Sequence, residues 1–322
     1  MEDLQVRVVQ KRTEAEGITS FELARADGAP LPPFSAGSHI DVHLPASAGG
    51  LVRQYSLCNA SHEQHRYRIA VLRDAASRGG SATVHDQLQV GTVLDIGTPR
   101  NLFELDPASP HHLLLAGGIG ITPLLAMAEQ LAAQGGGFTL HHATRSRERT
   151  PFVAQLASAP YADRVHHHFD DGPAMQKLDL AATLRSAPAG SHLYVCGPTG
   201  FMEAVLAEGR AQGWDDARLH REYFAAAPTG TAGDGGFELE LASSGRVIPV
   251  AADQTALAAL LAAGLDIPMS CEQGVCGTCL TGVKSGVPDH RDQYLTPEER
   301  AANNQFLPCC SRASSARLVL DL

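Results

Sequence analysis

Five of the seven cysteines in this 322-residue chain crowd into 40 residues near its C-terminal end, and their spacing is the strongest constraint in the sequence. Four of them follow the pattern Cys271-x4-Cys276-x2-Cys279-x29-Cys309, and Cys310 comes directly after the last. An odd number of cysteines, so unevenly distributed, is not typical of a disulfide framework. Three thiols from one tight loop and a fourth from a distant segment instead predict a metal or cluster site.

The spacing favours an iron–sulfur cluster over zinc. Plant-type [2Fe–2S] ferredoxins use C-x4-C-x2-C with a distant fourth cysteine. Structural zinc sites more often combine two C-x2-C-type pairs, and this segment contains only one. Gly274 and Gly277 lack a Cβ, which lets the loop backbone approach a cluster closely. With zinc as the alternative, we predict a [2Fe–2S] cluster whose ligands are Cys271, Cys276, Cys279 and Cys309.

Cys310 is expected to pack in the core rather than bind the cluster. Adjacent side chains in an extended chain point in opposite directions, so only one of Cys309 and Cys310 should reach the cluster.

The rest of the chain divides by pattern into further segments. Residues 1–105 contain short β-rich stretches separated by Gly and Pro clusters, which predicts a small antiparallel barrel. Residues 106–224 alternate apolar runs with segments of helical periodicity, which predicts βαβ units and a parallel sheet. Residues 225–236 have the small, turn-rich composition of a linker. Residues 237–322 begin with a hairpin pattern and contain the cysteines.

Two glycine-containing turns in the middle segment predict a dinucleotide site. The motif GGIGITP places Gly118 between a strand and a helix, with Thr122 as the expected helix cap and Pro123 in the first turn. N–H groups at such a helix start can bind a pyrophosphate, although close strand–helix packing is the alternative explanation. The motif CGPTGFM repeats the design at Cys196 and Pro198. Ligands bind at the C-terminal ends of parallel strands. Cys196 would either lie beside a nicotinamide or pack as a small apolar side chain.

A third group of residues in the first segment predicts a ring-and-phosphate site. RQYS brings together Arg53, Tyr55 and Ser56: the tyrosine can stack on a flat ring, and the other two can bind an anion. RGGS contains Gly80 and Ser81, and backbone amides in such a turn can hold a phosphate. Because these motifs are short, a hairpin with a surface arginine remains the alternative.

Taken in order, RQYS, RGGS, GGIGITP, CGPTGFM and CEQGVCGTCL resemble the motifs of the phthalate dioxygenase reductase family, which includes the vanillate demethylase reductases. The resemblance covers essentially the whole chain. It implies a multidomain protein with an antiparallel β-barrel flavin domain, an α/β parallel-sheet nucleotide domain and an α+β plant-type ferredoxin domain of the β-grasp type. The segment CCSRA is also similar to the family, and the resemblance makes Cys309 the fourth ligand.

The same resemblance assigns residues to cofactors. It implies FMN rather than FAD, with flavin contacts at Arg53, Tyr55, Ser56, Gly80 and Ser81. It implies nicotinamide dinucleotide contacts at Gly118, Thr122, Cys196 and Pro198. In HREYF it implies that an aromatic ring at Phe224 covers the flavin, with assistance from Glu222.

The segment ATRSRERTPF bears on the choice of nucleotide. The resemblance places Arg145 and Ser146 at the adenosine ribose. The resemblance favours NADH, but neither position carries an acidic residue that would bind the ribose 2′-hydroxyl of NADH. NADPH is therefore a second possible donor, and the alternative explanation for this segment is a solvated loop of alternating charge with no role in binding. The run from His166 to His168 is not expected to bind a metal, because adjacent side chains in a strand face opposite ways.

The function that follows is NAD(P)H-dependent electron transfer. The resemblance implies a path from NADH through FMN and a [2Fe–2S] cluster to the terminal oxygenase of a two-component Rieske-type oxygenase or demethylase. No separate catalytic acid–base pair or nucleophile is predicted. The acidic residues Asp266, Glu272, Asp289 and Asp292 are expected to steer a basic partner. The alternative is a redox-sensing regulatory flavin/iron–sulfur protein without a dedicated oxygenase.

Composition limits the remaining partners. A formal net charge of −10 without a basic segment argues against nucleic-acid binding. No apolar stretch approaches the ~18 residues that span a bilayer, and the charged N-terminus is unlike a secretory signal. We therefore expect a cytoplasmic protein with no membrane partner, and the family suggests a monomer.

Overall fold

The computed structural model describes residues 4–45, 51–74, 80–224, 234–269 and 271–322. The chain forms two compact units, Met1–Glu222 and Tyr223–Leu322. The predicted boundary at residue 105 falls inside the first unit and stays a prediction. The predicted linker, 225–236, lies mostly outside the described residues. Within those residues, every helix is too short or too polar to cross a membrane.

The first unit begins with an antiparallel sheet that has seven strands in the described residues, and this confirms the predicted flavin-type barrel fold. Its elements are β1 (Leu4–Ala15), β2 (Ile18–Arg25), β3 (Ser38–His43), β4 (Val52–Ser56), β5 (Tyr67–Leu72), α1 (Gly80–Gln87), β6 (Val93–Ile96) and β7 (Arg100–Asn101). The order is β4-β3-β6-β1-β2-β5, with β7 beside β3. Alternation works as predicted in β1, where Val6 and Val8 are buried and Arg7 between them is exposed.

A parallel sheet forms the rest of this unit, as the alternating strand and helix patterns predict. Its elements are β8 (His112–Gly117), α2 (Ile121–Gln134), β9 (Phe138–Thr144), α3 (Val153–Ser158), β10 (Val165–Phe169), α4 (Leu180–Ser186), β11 (His192–Cys196), α5 (Thr199–Ala211) and β12 (Leu219–Glu222). The order is β10-β9-β8-β11-β12. All six residues of β8 are buried, which is typical of a central parallel strand covered on both faces. The glycine turns that follow β8 and β11 therefore lie side by side.

The second unit is a mixed sheet with short helices, and it confirms the predicted α+β fold. Its elements are β13 (Phe237–Leu241), β14 (Val247–Val250), α6 (Ala256–Ala262), β15 (Thr281–Ser285), β16 (Pro288–Asp289), α7 (Pro297–Ala302), β17 (Gln305–Phe306), β18 (Arg312–Ala313) and β19 (Arg317–Leu320). The order is β14-β13-β19-β15-β17, with β13 and β19 parallel. Three of the core residues, Cys279, Cys309 and Cys310, come from the cysteine segments.

Histidines occupy both faces of the parallel sheet at β9 and β10. On one face, the His141 ring stacks on His166 and His168, with centroids 4.8 and 5.2 Å apart. Nδ1 of His141 lies 2.9 Å from Nε2 of His168. On the other face, His142 lies beside His167, with ring centroids 5.8 Å apart. Adjacent histidines thus alternate between faces, as expected of a strand.

The histidine stack predicts a loss of stability in acid. Burial, reinforced by His168 and His166, lowers the pKa of His141 to about 3. An imidazole in the unfolded chain titrates at about 6.5, so between these values the unfolded state holds a proton that the folded state lacks. Stability therefore falls as the pH falls through this window.

His141→Phe keeps a stacked ring and removes the titrating group. Between about pH 6 and 4.5, its free energy of unfolding should fall less steeply than that of the wild type, by up to about 1.4 kcal/mol per pH unit. Urea unfolding across this range measures both slopes, and above about pH 7.5 they should agree. Parallel slopes in the acid range would contradict the prediction.

Candidate functional site

The predicted flavin residues come together at the end of β4 and the start of α1. Arg53 packs against Gly80 so closely that a Cβ at Gly80 would lie 2.7 Å from Arg53 Nε. Tyr55 is half-buried on the same strand, and burial raises its pKa to about 12. Ser81 Oγ accepts the backbone N–H of Asp74 at 3.1 Å, which ties the helix start to the end of β5. Of the RGGS segment, the structure describes Gly80 and Ser81, which begin α1, and the first two residues lie outside the described residues.

Ser56 connects this group to the neighbouring parallel sheet. Its hydroxyl donates to Glu222 Oε2 at 3.4 Å, and Glu222 lies opposite Cys196 in the register of β11 and β12. Burial raises the pKa of Glu222 to about 8, so its carboxyl is protonated at neutral pH. Burial, together with Glu222, also holds the pKa of Cys196 well above its usual value. Cys196 is fully buried and is a neutral thiol.

The two glycine turns are in backbone contact with each other. A Cβ at Gly120 would lie 2.2 Å from the carbonyl oxygen of Cys196, and one at Gly197 would lie 2.8 Å from Gly117 Cα. Pro198 packs on the first turn, because a Cβ at Gly117 would lie 2.9 Å from its Cδ. The predicted pairing of the two turns is therefore a direct contact that side chains would prevent.

Thr122 is not the helix cap that its position suggests. A 3₁₀ turn over Gly118–Gly120 precedes α2, so Gly120 takes the cap position and Thr122 lies inside the first turn. Its hydroxyl donates to the carbonyl oxygen of Ile119 at 3.1 Å, and its side chain is buried. The glycine-rich stretch continues the helix backward by one tight turn, which the sequence reading did not anticipate.

The loop after β9 carries the residues predicted to meet an adenosine ribose. The Ser146 carbonyl accepts hydroxyl hydrogens from Thr144 and Thr150 at 3.2 and 2.8 Å, which fixes the turn. Arg145 is exposed at the end of the strand. Arg149 pairs with Glu16 at 2.9 Å, so this charge belongs to an ion pair with the barrel. The Ser146 side chain hydrogen-bonds the Glu148 carboxylate, and the N–H of Asp171 donates to the Arg145 carbonyl at 3.1 Å, so acidic residues do lie beside this turn although neither position is itself acidic.

The four predicted cluster cysteines are arranged as two pairs. The thiol of Cys271 interacts with that of Cys276, and the thiol of Cys279 interacts with that of Cys309. The neighbouring Cys271 thiol lowers the pKa of Cys276. Backbone N–H groups also donate to sulfur: that of Gln273 to Cys271 at 3.3 Å, and that of Thr278 to Cys276 at 3.5 Å. Four thiols in two pairs, with amides aimed at sulfur, suit two irons.

Cys310 and Phe224 also have defined surroundings. Cys310 is buried, and its Sγ lies 3.8 Å from the carbonyl oxygen of Leu307, consistent with the packing role expected of it. Phe224 lies just beyond β12 with 38% of its side chain exposed. That Phe224 covers a flavin stays a prediction.

Asp292 is a structural carboxylate, so the prediction that it steers a partner is wrong. Its side chain is completely buried and accepts the backbone N–H groups of Tyr294 and Leu295 at 3.1 and 2.8 Å. It also accepts the Ser311 hydroxyl at 3.4 Å, and Arg300 Nη2 lies 3.6 Å away. Asp292 thus joins the turn after the cysteine loop to the segment directly after Cys310.

The neighbouring turn also touches the cysteine loop. The N–H of Gln293 donates to the Gly274 carbonyl at 2.9 Å. The Tyr294 ring packs directly on Gly277, since a Cβ on this glycine would lie 2.3 Å from Tyr294 Cζ. Sequence reasoning missed this connection. The signal was available in Asp-Gln-Tyr-Leu, because an Asp commonly accepts backbone N–H groups two or three residues ahead.

Of the other acidic residues predicted to steer a partner, Asp289 forms an ion pair and Asp266 is exposed to solvent. Asp289 Oδ2 lies 2.6 Å from Arg291 Nη2, an ion pair that offsets its charge. Asp266 is exposed and Glu272 is half-buried.

Known protein families match parts of both units of the chain. Residues 239–314 match the family model of the 2Fe-2S iron-sulfur cluster binding domain. Residues 98–219 match that of the dimethylamine monooxygenase subunit DmmA-like, N-terminal domain. Vanillate O-demethylase oxidoreductase from Pseudomonas sp. (strain HR199 / DSM 7063) is 55% identical over 319 residues, covering 99% of this chain and 100% of that protein.

Phthalate dioxygenase reductase from Burkholderia cepacia is 40% identical over 320 residues, covering 99% of this chain and 97% of that protein. A solved structure of phthalate dioxygenase reductase has a TM-score of 0.79 at 40% identity and covers 99% of this chain and 98% of its own. The chain belongs to the phthalate dioxygenase reductase family. It is therefore an oxidoreductase with a [2Fe–2S] domain, and the resemblance stated from its motifs is confirmed.

The contact between the glycine turns gives a first test in this family fold. Gly120→Ala places a Cβ against backbone that has no room to move, so the free energy of unfolding should fall by at least about 2 kcal/mol. Gly200→Ala is the matched control, because nothing lies within 4 Å of its Cβ and it lies in α5. Chemical unfolding should show this control unchanged or more stable by up to about 1 kcal/mol. Equal stability of the two variants would refute the argument.

The buried carboxylate gives a second test. Asp292→Ala leaves three hydrogen-bond donors without their acceptor and removes the carboxylate beside Arg300, so the second unit should lose about 3–5 kcal/mol. Loss of visible cluster absorbance during urea titration reports this change in the full-length protein. Asp266→Ala removes an exposed carboxylate and should behave as the wild type. An Asp292→Ala protein that holds its cluster to the wild-type urea concentration would show that the network is dispensable.

Proposed function

We propose that this protein is the reductase component of a two-component oxygenase, and that it carries electrons from NAD(P)H through FMN and a [2Fe–2S] cluster to a terminal oxygenase. The observation that carries the proposal is the coexistence in one chain of three sites: the Arg53–Gly80 group, the paired glycine turns and the paired cysteine thiols. A redox sensor has no need for a complete dinucleotide site, so the combination favours turnover. When bound, a flavin accepts a hydride and passes electrons on singly, and a [2Fe–2S] cluster carries one electron at a time.

The residues of the barrel would bind and orient the flavin. Tyr55 offers a half-buried ring for stacking, and Arg53 with the amides of Gly80 and Ser81 offers donors for a phosphate. Ser56, held by Glu222, places a hydroxyl between this group and the parallel sheet. The choice of FMN follows from the family resemblance, and extraction of the bound flavin followed by chromatography distinguishes FMN from FAD.

The residues of the parallel sheet would bind the nicotinamide nucleotide. Gly118 and Thr122 lie at the first glycine turn, and Cys196 and Pro198 lie at the second, so a pyrophosphate at one turn brings a nicotinamide to the other. Arg145 and Ser146 lie at the end of β9, where the adenosine ribose would be. NADH is the proposed donor, and steady-state comparison with NADPH tests this choice.

The neutral carboxyl of Glu222 predicts a pH dependence. With a pKa of about 8, Glu222 ionises as the pH rises through that value, which places a buried negative charge beside Ser56 and Cys196. Flavin reduction by saturating NADH, followed by stopped flow, should change rate with an apparent pKa of about 8. Glu222→Gln should remove this transition and keep the rate of the low-pH form. A transition that persists unchanged in Glu222→Gln would exclude Glu222 as its source.

The cysteine assignment predicts different outcomes for two adjacent substitutions. Cys309→Ser should abolish the [2Fe–2S] absorption while NADH still bleaches the flavin, because the two sites lie in different units. Cys310→Ser should keep the cluster spectrum. Iron content, visible spectra and electron transfer to a one-electron acceptor separate the two variants. Cluster loss in Cys310→Ser with retention in Cys309→Ser would reverse the assignment.

The partner is proposed to be a Rieske-type terminal oxygenase of an aromatic demethylase. The support is the similarity to vanillate O-demethylase oxidoreductases at 55% identity over nearly the full chain. Reconstitution with a purified candidate oxygenase, NADH and a methoxybenzoate such as vanillate should give demethylated product. Reduction of the protein by NADH with no transfer to any candidate oxygenase would favour the sensor alternative.

A further inference from the structure

His142 lies beneath the first glycine turn and contacts it directly. It belongs to β9, opposite Ala116 of β8, and its side chain is completely buried. Its Nε2 lies 3.0 Å from the carbonyl oxygen of Gly118. Because a carbonyl only accepts, Nε2 carries the hydrogen and donates it. The sequence reading assigned no role to this residue.

The other ring nitrogen of His142 is left without a hydrogen bond from any described residue, which makes burying the imidazole unfavourable. Within the described residues, Nδ1 of His142 is buried without a hydrogen-bond partner. A buried polar atom without a partner is unfavourable, and an apolar side chain would fill the same space without this penalty. Burial lowers the pKa of His142 to about 3, so the ring stays neutral at the pH values of interest. The imidazole is therefore poorly explained as packing alone.

The contact fixes the orientation of one peptide unit. The Gly118 carbonyl accepts hydrogen bonds from His142 below and from the N–H of Ile121 at the start of α2. A trans peptide is planar, and its C=O and N–H point in opposite directions. The N–H of Ile119 in the same peptide therefore points away from His142. The φ of +54° at Gly118 is the conformation that makes this orientation accessible.

We propose that His142 is a positioning residue for the dinucleotide: it holds the Gly118–Ile119 peptide so that the Ile119 N–H faces the pyrophosphate. The inference rests on the proposed binding of NAD(P)H at this turn. His142 itself does not touch the nucleotide, and it takes no part in hydride transfer. Its effect is on binding, because a turn whose peptide can rotate must be ordered each time the ligand enters.

The test uses the holoprotein and two substitutions at this position. His142→Phe keeps an aromatic ring and removes the donor, whereas His142→Gln restores an N–H that can reach the carbonyl. The dependence of the anaerobic flavin-reduction rate on NADH concentration, followed by stopped flow, should show the Kd of NADH raised by about tenfold in His142→Phe, the effect of one hydrogen bond. His142→Gln should recover most of this loss. Flavin reduction at saturating NADH should stay within about twofold of the wild type, so KM changes and kcat does not.

Fragments of the nucleotide locate the effect. ADP-ribose contains the pyrophosphate and should lose affinity in His142→Phe as NADH does, whereas adenosine lacks it and should bind equally to both proteins. His141→Phe is the matched control, because His141 is the next residue of β9 and faces the opposite side of the sheet. It should bind NADH and ADP-ribose as the wild type does.

Each outcome is decisive. Unchanged binding of NADH and ADP-ribose by His142→Phe would overturn the inference, as would an equal loss for adenosine, which would mean general disruption. If His142→Phe does not fold, a His142→Gln protein that folds but binds NADH about tenfold more weakly, with no preference for fragments containing the pyrophosphate, also overturns it. Failure of the wild type to bind NADH or NADPH overturns the proposed function itself, a result that no substitution at His142 can imitate.

Discussion

The close approach of two backbone turns is the constraint on which the nucleotide half of this protein depends. Gly120 lies against the Cys196 carbonyl, and Gly197 lies against Gly117, at distances that leave no room for a Cβ. The contact places the ends of β8 and β11 beside each other at the carboxyl edge of the sheet. Every residue proposed to bind the nicotinamide nucleotide comes from these two turns or from the neighbouring end of β9.

Burial keeps the groups around this edge uncharged. Glu222 is protonated at neutral pH, Cys196 is a neutral thiol, and His142 is a neutral imidazole, each because the interior disfavours the ionised form. A hydride donor and a flavin need a dry, correctly shaped site more than they need acid–base groups.

In the second unit, a cluster requires that Cys309 lie close to the loop from Cys271 to Cys279, although 29 residues separate it from Cys279. The turn that begins at Asp292 contacts the cysteine loop through Gln293 and Tyr294, and the Asp292 carboxylate accepts the hydroxyl of Ser311, two residues after Cys309. A buried carboxylate is costly unless its lone pairs are used, and here the backbone and Ser311 use them, with Arg300 nearby to balance the charge. Asp292 thus joins the turn that contacts the cysteine loop to the segment directly after Cys310.

Much of the protein follows from the sequence alone. The cysteine spacing, the short β-rich stretches and the strand–glycine–helix pattern after β8 predicted the fold class, and five short motifs predicted the family, because each depends on residues close together in the chain. Only the tertiary structure showed the burial and hydrogen bonds of His142 and Asp292, and the position of Thr122 inside its helix. Asp292 reads as a surface charge in sequence, and its burial depends on Ser311 and Arg300, which folding brings to it from outside its own turn. Long-range contacts of this kind leave no local pattern, and so they appear only when the chain is folded.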